Sequence, residues 1–142
     1  MKTNNLLERR FFLAWLLGAI VMYLASYAWH GVFLNDFARL TYPKDILLMS
    51  FALIYLITAL VVVLMVKFVP FKITHFKKGV LFGCGAGFFL YLVAFSFGIT
   101  FYASPAIEHI LFDLAWQTIE GGMGGATIGG TYAVVGRVMR FS

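Results

Sequence analysis

The side chains best suited to chemistry in this chain form two groups. Glu108, His109, Asp113, Trp116, Gln117 and Glu120 follow one another in the last third, and Trp29-His30 stands with Asn35 and Asp36 in the first. His109, Asp113, Trp116 and Glu120 are spaced by four, three and four, which places them on one face of a helix. Imidazole and carboxylate groups together can bind a small polar ligand, exchange a proton or hold a cation. For a transition metal the ligand types in reach are His30, His109 and Asp113, with Glu120 as a further carboxylate. No HExxH-type motif fixes such a site. His30 and His109 could instead serve as the two axial ligands of a b-type haem between helices. In each case Trp29 and Trp116 would form walls and Gln117 would assist by hydrogen bonding. Glu120 is the deepest of the group. A lone carboxylate in low dielectric is expected to be neutral or hydrogen-bonded to a neighbouring helix.

The elements that must position these groups are four long apolar runs, at about Phe11–Leu34, Ile46–Val66, Gly79–Tyr102 and Ala106–Val138. Each is long enough to cross a hydrocarbon core of about 30 Å at 1.5 Å per residue. With 62% hydrophobic and 12% charged residues in 142, a water-soluble domain could not bury so much apolar surface. The expected fold is therefore all-α: an integral membrane bundle of four transmembrane helices, forming a single domain over 1–142. Alternating segments of the β-barrel kind are absent from the sequence.

Basic residues give the expected orientation. Lys2, Arg9 and Arg10 precede the first run, Lys67, Lys72, Lys77 and Lys78 separate the second from the third, and Arg137 and Arg140 close the fourth. The opposite side carries Arg39 and Lys44 alone, so both termini are expected in the cytoplasm of a cell bounded by this plasma membrane. The net charge of +5 is thus a topology signal, aided by anionic lipid, and nucleic acid is not an expected partner. Phe68, Phe71 and Phe76 among the lysines suit a segment lying in the headgroup layer. Ser26-Tyr27-Ala28 has the small-x-small form of a signal-peptidase site, but the apolar run continues past it and an uncleaved first helix is expected.

Within the spans, Pro43 and Asp45 suit the start of the second helix, which otherwise reads as a lipid-facing wall. Gly79, Gly83 and Gly87 in the third run and Gly121, Gly125 and Gly129 in the fourth share a four-residue spacing. Such tracks let helix backbones approach closely, so an antiparallel contact between helices three and four is expected. Ser104-Pro105 supplies a cap and first-turn proline for the fourth helix. That run is long for the membrane and would tilt, protrude or break near Gly121–Gly125. Counting about 20 residues from Phe11 reaches His30, and the same count back from Arg137 reaches Trp116 or Gln117. Helices one and four are therefore expected to bring the two polar groups to one depth, near the outer interface.

The plain alternative is an aromatic belt of Tyr27, Trp29, Tyr42, Tyr102 and Trp116, with Glu108, His109 and Asp36 as solvated helix ends. Catalysis finds little support. Cys84 lies among glycine and phenylalanine, where a thiolate is disfavoured, and no nucleophilic serine signature occurs. His75 reads as an ordinary interfacial residue. A lone transporter using Glu120 at a helix break would need dimerisation. Two function classes remain: a pocket binding a small polar ligand, proton or metal ion, and a non-catalytic accessory subunit or assembly factor of a larger membrane complex. Membrane lipid is a partner under either, with a homo-oligomer or a larger complex open.

Overall fold

The computed structural model describes residues 2–39, 42–99 and 106–138, with side chains described from residue 9 to residue 135 of these. Four long helices make up most of it: α1 (Lys2–Ser26), α2 (Lys44–Phe68), α3 (His75–Ser96) and α4 (Ile107–Val138). No strand occurs among the described residues. Stretches Arg9–Phe33, Lys44–Phe68 and His75–Ser96 are long and apolar enough to cross a membrane. Large apolar side chains cover the outside, among them Phe12, Leu16, Leu24, Leu53, Phe89 and Val93, as a lipid solvent requires.

Chain neighbours run antiparallel, and α4 packs most extensively on α3 and next on α1. The end where α1 begins and α2 and α4 finish is called proximal here, the other distal. Proximal contacts include the Lys67 ammonium over the Phe11 ring and the Trp15 indole N–H donating to the Leu56 carbonyl at 2.7 Å. Lys78 is buried there because its ammonium donates to the Val69 carbonyl at 2.8 Å, just past the C-terminus of α2 where a cation is favoured. Thr74 caps α3 through the Lys77 amide.

The α3–α4 contact explains the glycine spacing. A Cβ on Gly79, Gly83 or Gly87 would fall on the carbonyl oxygens of Gly125, Gly121 and Gln117 respectively. The reverse holds as well, with Gly121 and Gly125 facing the carbonyls of Gly83 and Gly79. On the other side of α4, Ile128 crowds Gly18 and Met22 crowds Gly124. The buried interior is built from Ala14, Met22, Tyr55, Val62, Val66 and Ile128 with their neighbours.

Several boundaries differ from the sequence reading. α1 is helical from Lys2 and passes into a π-helical turn, Tyr27–Phe33, before a 3₁₀ turn at Asp36–Ala38. α2 extends one turn or less beyond Ile46–Val66 at each end. It is no mere lipid-facing wall, since Tyr55, Ala59, Val62, Val63 and Val66 are buried. α3 starts earlier than Gly79, at His75, and stops at Ser96 rather than Tyr102. The stop has a local cause: Gly98 takes a φ of 72°, and the amides of Gly98 and Ile99 turn back onto the carbonyls of Phe95 and Ala94. α4 is continuous through Gly121–Gly125, and its 32 residues extend about 48 Å. The Ser104-Pro105 cap, Tyr102 of the aromatic belt, and Arg140 lie outside the described residues, as does the side chain of Arg137.

Candidate functional site

The distal end holds a cavity of about 130 Å³ reached by side chains from all four helices. Roughly 10–15 Å³ suffices for one water, so this volume takes several waters or one small head group. Its polar wall is Ser26, His30, Tyr55, Asp113 and Gln117, and its apolar wall is drawn from α2 and α3, with Phe51, Ile54 and Leu90.

His30 reaches this wall because of the π-helical turn. The wider turn inserts a residue into the helix, a distortion concentrated at functional sites. Gly31 makes room for Phe37, whose ring any Cβ there would crowd. Phe37 in turn packs on Tyr27 and Phe51. Asn35 adopts a left-handed φ of 51°, which short polar side chains tolerate, and this reverses the chain. Asp36 is thereby folded back under His30 and is 1% exposed. His30 Nδ1 donates to Asp36 Oδ2 at 2.9 Å, because an ionised carboxylate can only accept. Arg39 covers the second oxygen from outside at 3.6 Å. The expectation of a solvated Asp36 therefore fails, and the residue orients the imidazole.

From α4, Asp113 is 8% exposed, and its Oδ1 is buried with no hydrogen-bond partner among the described residues. Gln117 sits one turn deeper and donates to Glu120 Oε1 at 2.9 Å. Trp116 donates to Glu120 Oε2 at 3.2 Å. Tyr55 of α2 reaches the same carboxylate, and Gln117 also approaches the Tyr55 hydroxyl at 3.5 Å. Ser26 of α1 lies beside both, outside good hydrogen-bond geometry. Glu120 is 0% exposed, and its hydrogen-bond donors come mostly from its own helix.

Of the residues singled out from sequence, His30, Asp113 and Gln117 share the cavity wall. Glu120 stands behind Gln117. Trp29 and Trp116 do not wall the cavity; they stack on each other at 4.1 Å and 13°, with Phe112 beside Trp29, and so clamp α1 to α4. His109 is exposed, within electrostatic reach of Asp113, as Glu108 is exposed one residue before it. No group of three or more His, Cys, Asp and Glu among the described residues could hold a metal ion, so His30, His109 and Asp113 do not assemble into one coordination sphere. A haem between His30 and His109 is disfavoured because His30 is buried toward Asp36 while His109 faces outward.

Sequence reasoning placed Asp36 beside His30 in the polar group but gave it no role in the pocket, and it gave Ser26 and Tyr55 none. Asp36 is brought in across a reversal that helical periodicity does not encode. A serine and a tyrosine facing one carboxylate from separate helices leave no linear motif. Comparison with known proteins adds no assignment: no family model, curated protein or solved structure matches this chain.

Proposed function

We propose that this chain is a four-span membrane protein of the plasma membrane, with both termini cytoplasmic, whose distal cavity lies near the outer interface and binds a small polar ligand that donates hydrogen bonds. The single observation carrying this reading is the Asp113 Oδ1 atom, buried on the wall of a cavity without a partner. A buried acceptor left unsatisfied costs about 1–3 kcal/mol, and a ligand donor is what removes that cost. His30, oriented by Asp36, and Gln117, held by Glu120, offer further groups whose directions are already fixed. Such fixed groups bind with less loss of side-chain entropy. Close antiparallel packing of α3 on α4 through glycine holds Asp113 and Gln117 against the cavity. Asp113 is the carboxylate on the cavity wall and favours a cationic donor over an anion, whereas Asp36 is already faced by His30 and Arg39 and Glu120 by Gln117 and Trp116.

A cysteine inside the cavity tests the reading. In a Cys84→Ala background, Ser26→Cys places a near-isosteric thiol on the wall. The cationic ethylammonium methanethiosulfonate should modify it at least tenfold faster than the anionic ethylsulfonate reagent, and ethanolamine should protect. No modification, or equal rates with no protection, would overturn the proposal.

A further inference from the structure

Beside the polar cavity, α2 and α3 leave an apolar groove of about 520 Å³, walled by Ile57, Val61 and Met65 on one side and Leu81, Gly85 and Phe89 on the other. It extends along α3 from Leu81 to Val93, about 18 Å of helix. Leu90 belongs to both the groove and the cavity, and the cavity's apolar wall comes from the same two helices one turn further on. A polar compartment and an apolar one therefore adjoin through a single side chain. At Gly85 a Cβ would meet nothing within 4 Å, unlike Gly79, Gly83 and Gly87 on the packed face of the same helix. The groove is thus open where the α3–α4 contact is closed.

We infer that the ligand is a single-chain amphiphile, a protonated long-chain primary amine, with its ammonium in the cavity against Asp113 and its hydrocarbon tail in the α2–α3 groove. This rests on the proposed polar pocket and extends it. Asp113 Oδ1 supplies the unfilled acceptor, and Gln117 carries the Glu120 carboxylate close behind the wall. An ammonium has three donors and no acceptor, which matches the oxygen atoms that Asp113, Ser26, Tyr55 and Gln117 bring to the wall beside His30. A phosphate or carboxylate head would meet the Asp113 carboxylate with the wrong sign. The tail follows from solvent: a groove lined by aliphatic and aromatic side chains within the spanning segments is filled by hydrocarbon, and only an amphiphile satisfies both compartments together.

The experiment uses the full chain, with Cys84→Ala and Ser26→Cys, in phosphatidylcholine nanodiscs, and reads protection of the cavity thiol. Dodecylamine should protect at a concentration at least 100-fold below ethanolamine, and dodecanoic acid should not protect. Partitioning of dodecylamine into the bilayer is controlled by Gly85→Phe, which adds a ring to the groove wall from a position where a Cβ meets no atom within 4 Å, and by the smaller Gly85→Leu. Both should weaken dodecylamine protection tenfold or more and leave ethanolamine protection unchanged. If the Gly85 variants leave dodecylamine protection intact, the tail site is overturned while the polar pocket stands. If neither amine protects the parent protein, the pocket reading falls and this one with it. Equal protection by dodecanoic acid overturns the ammonium assignment. A phospholipid or second polypeptide retained by the parent and lost from Gly85→Phe, seen by native mass spectrometry, gives the groove to another occupant and overturns the inference.

Discussion

Two carboxylates on one face of α4 have opposite relations to their surroundings, and this separates structure from binding. Glu120 accepts from Gln117 and Trp116 and is approached by Tyr55. Glu120→Leu strands those donors in a buried place, at about 1–3 kcal/mol for an orphaned group. Such bonds average nearer 0.6 kcal/mol where the unfolded chain stays in lipid, so a loss of about 1–3 kcal/mol in all is expected. Glu120→Gln keeps one acceptor and should lose less than half of that, read as apparent thermal midpoints in one detergent. Asp113→Leu removes a carboxylate whose buried Oδ1 accepts no hydrogen bond, and removing an unsatisfied polar group can be neutral or stabilising. Its midpoint should stay level or rise while protection by ethanolamine is lost. A large destabilisation would mean that Asp113 has a structural role instead. His109, Asp113 and Glu120 could be placed on one face from their spacing alone. What spacing could not give was which of them turned inward, because that depends on where α1 lies. The burial of Asp36 under His30 was hidden for a related reason: its position follows from a π turn and a left-handed asparagine, and neither has a periodic signature.

At the scale of helices, glycine carries two meanings that the sequence writes identically. Gly83 faces the Gly121 carbonyl and Gly85 faces open space, two residues away on the same helix. Replacing either removes the roughly 1 kcal/mol penalty of an interior glycine. For Gly83→Ala that gain is overwhelmed, because the new methyl meets backbone that cannot rotate away and the helices must separate. Overpacking of this kind costs about 1–3 kcal/mol. Gly83→Ala should therefore lower the thermal midpoint while Gly85→Ala holds or raises it, and equal effects would show that α3 and α4 do not approach this closely. The four-residue spacing made the packed track readable, since Gly79, Gly83 and Gly87 recur where Gly85 does not. Helix ends were less readable. Apolar residues continue past Ser96, so hydropathy alone ran α3 to Tyr102, although Gly98 carried the stop. The Gly121–Gly125 cluster invited a break in α4, yet the helix continues because α3 and α1 pack on both sides of it.

For the whole molecule, the open question of scale is how often the chain crosses the membrane. α4 is not among the segments apolar enough to span by composition. That measure suits a helix surrounded by lipid, and α4 is not so placed. Its glycine faces are covered by α3 and α1, and past Glu108 and His109 the positions left exposed among the described side chains, Leu111, Phe112, Ala115, Ile119, Met123 and Val134, are apolar. Seen from lipid, α4 offers a hydrophobic stripe whatever its average. On the proposed four-span reading, its length of about 48 Å exceeds a core of about 30 Å and would leave Glu108 and His109 beyond the distal boundary. Four crossings put both termini on the side of the basic Lys67–Lys78 segment, whereas three would put the C-terminus opposite. In Cys84→Ala protein within intact cells, a membrane-impermeant maleimide should modify Asp45→Cys and spare Lys72→Cys. A cysteine appended after Ser142 should be spared as Lys72→Cys is, and all but Asp45→Cys should react only after permeabilisation. Labelling of the appended cysteine in intact cells would reduce the spans to three. It would also put the α4 wall of the cavity, Asp113 and Gln117 included, outside any membrane-embedded site.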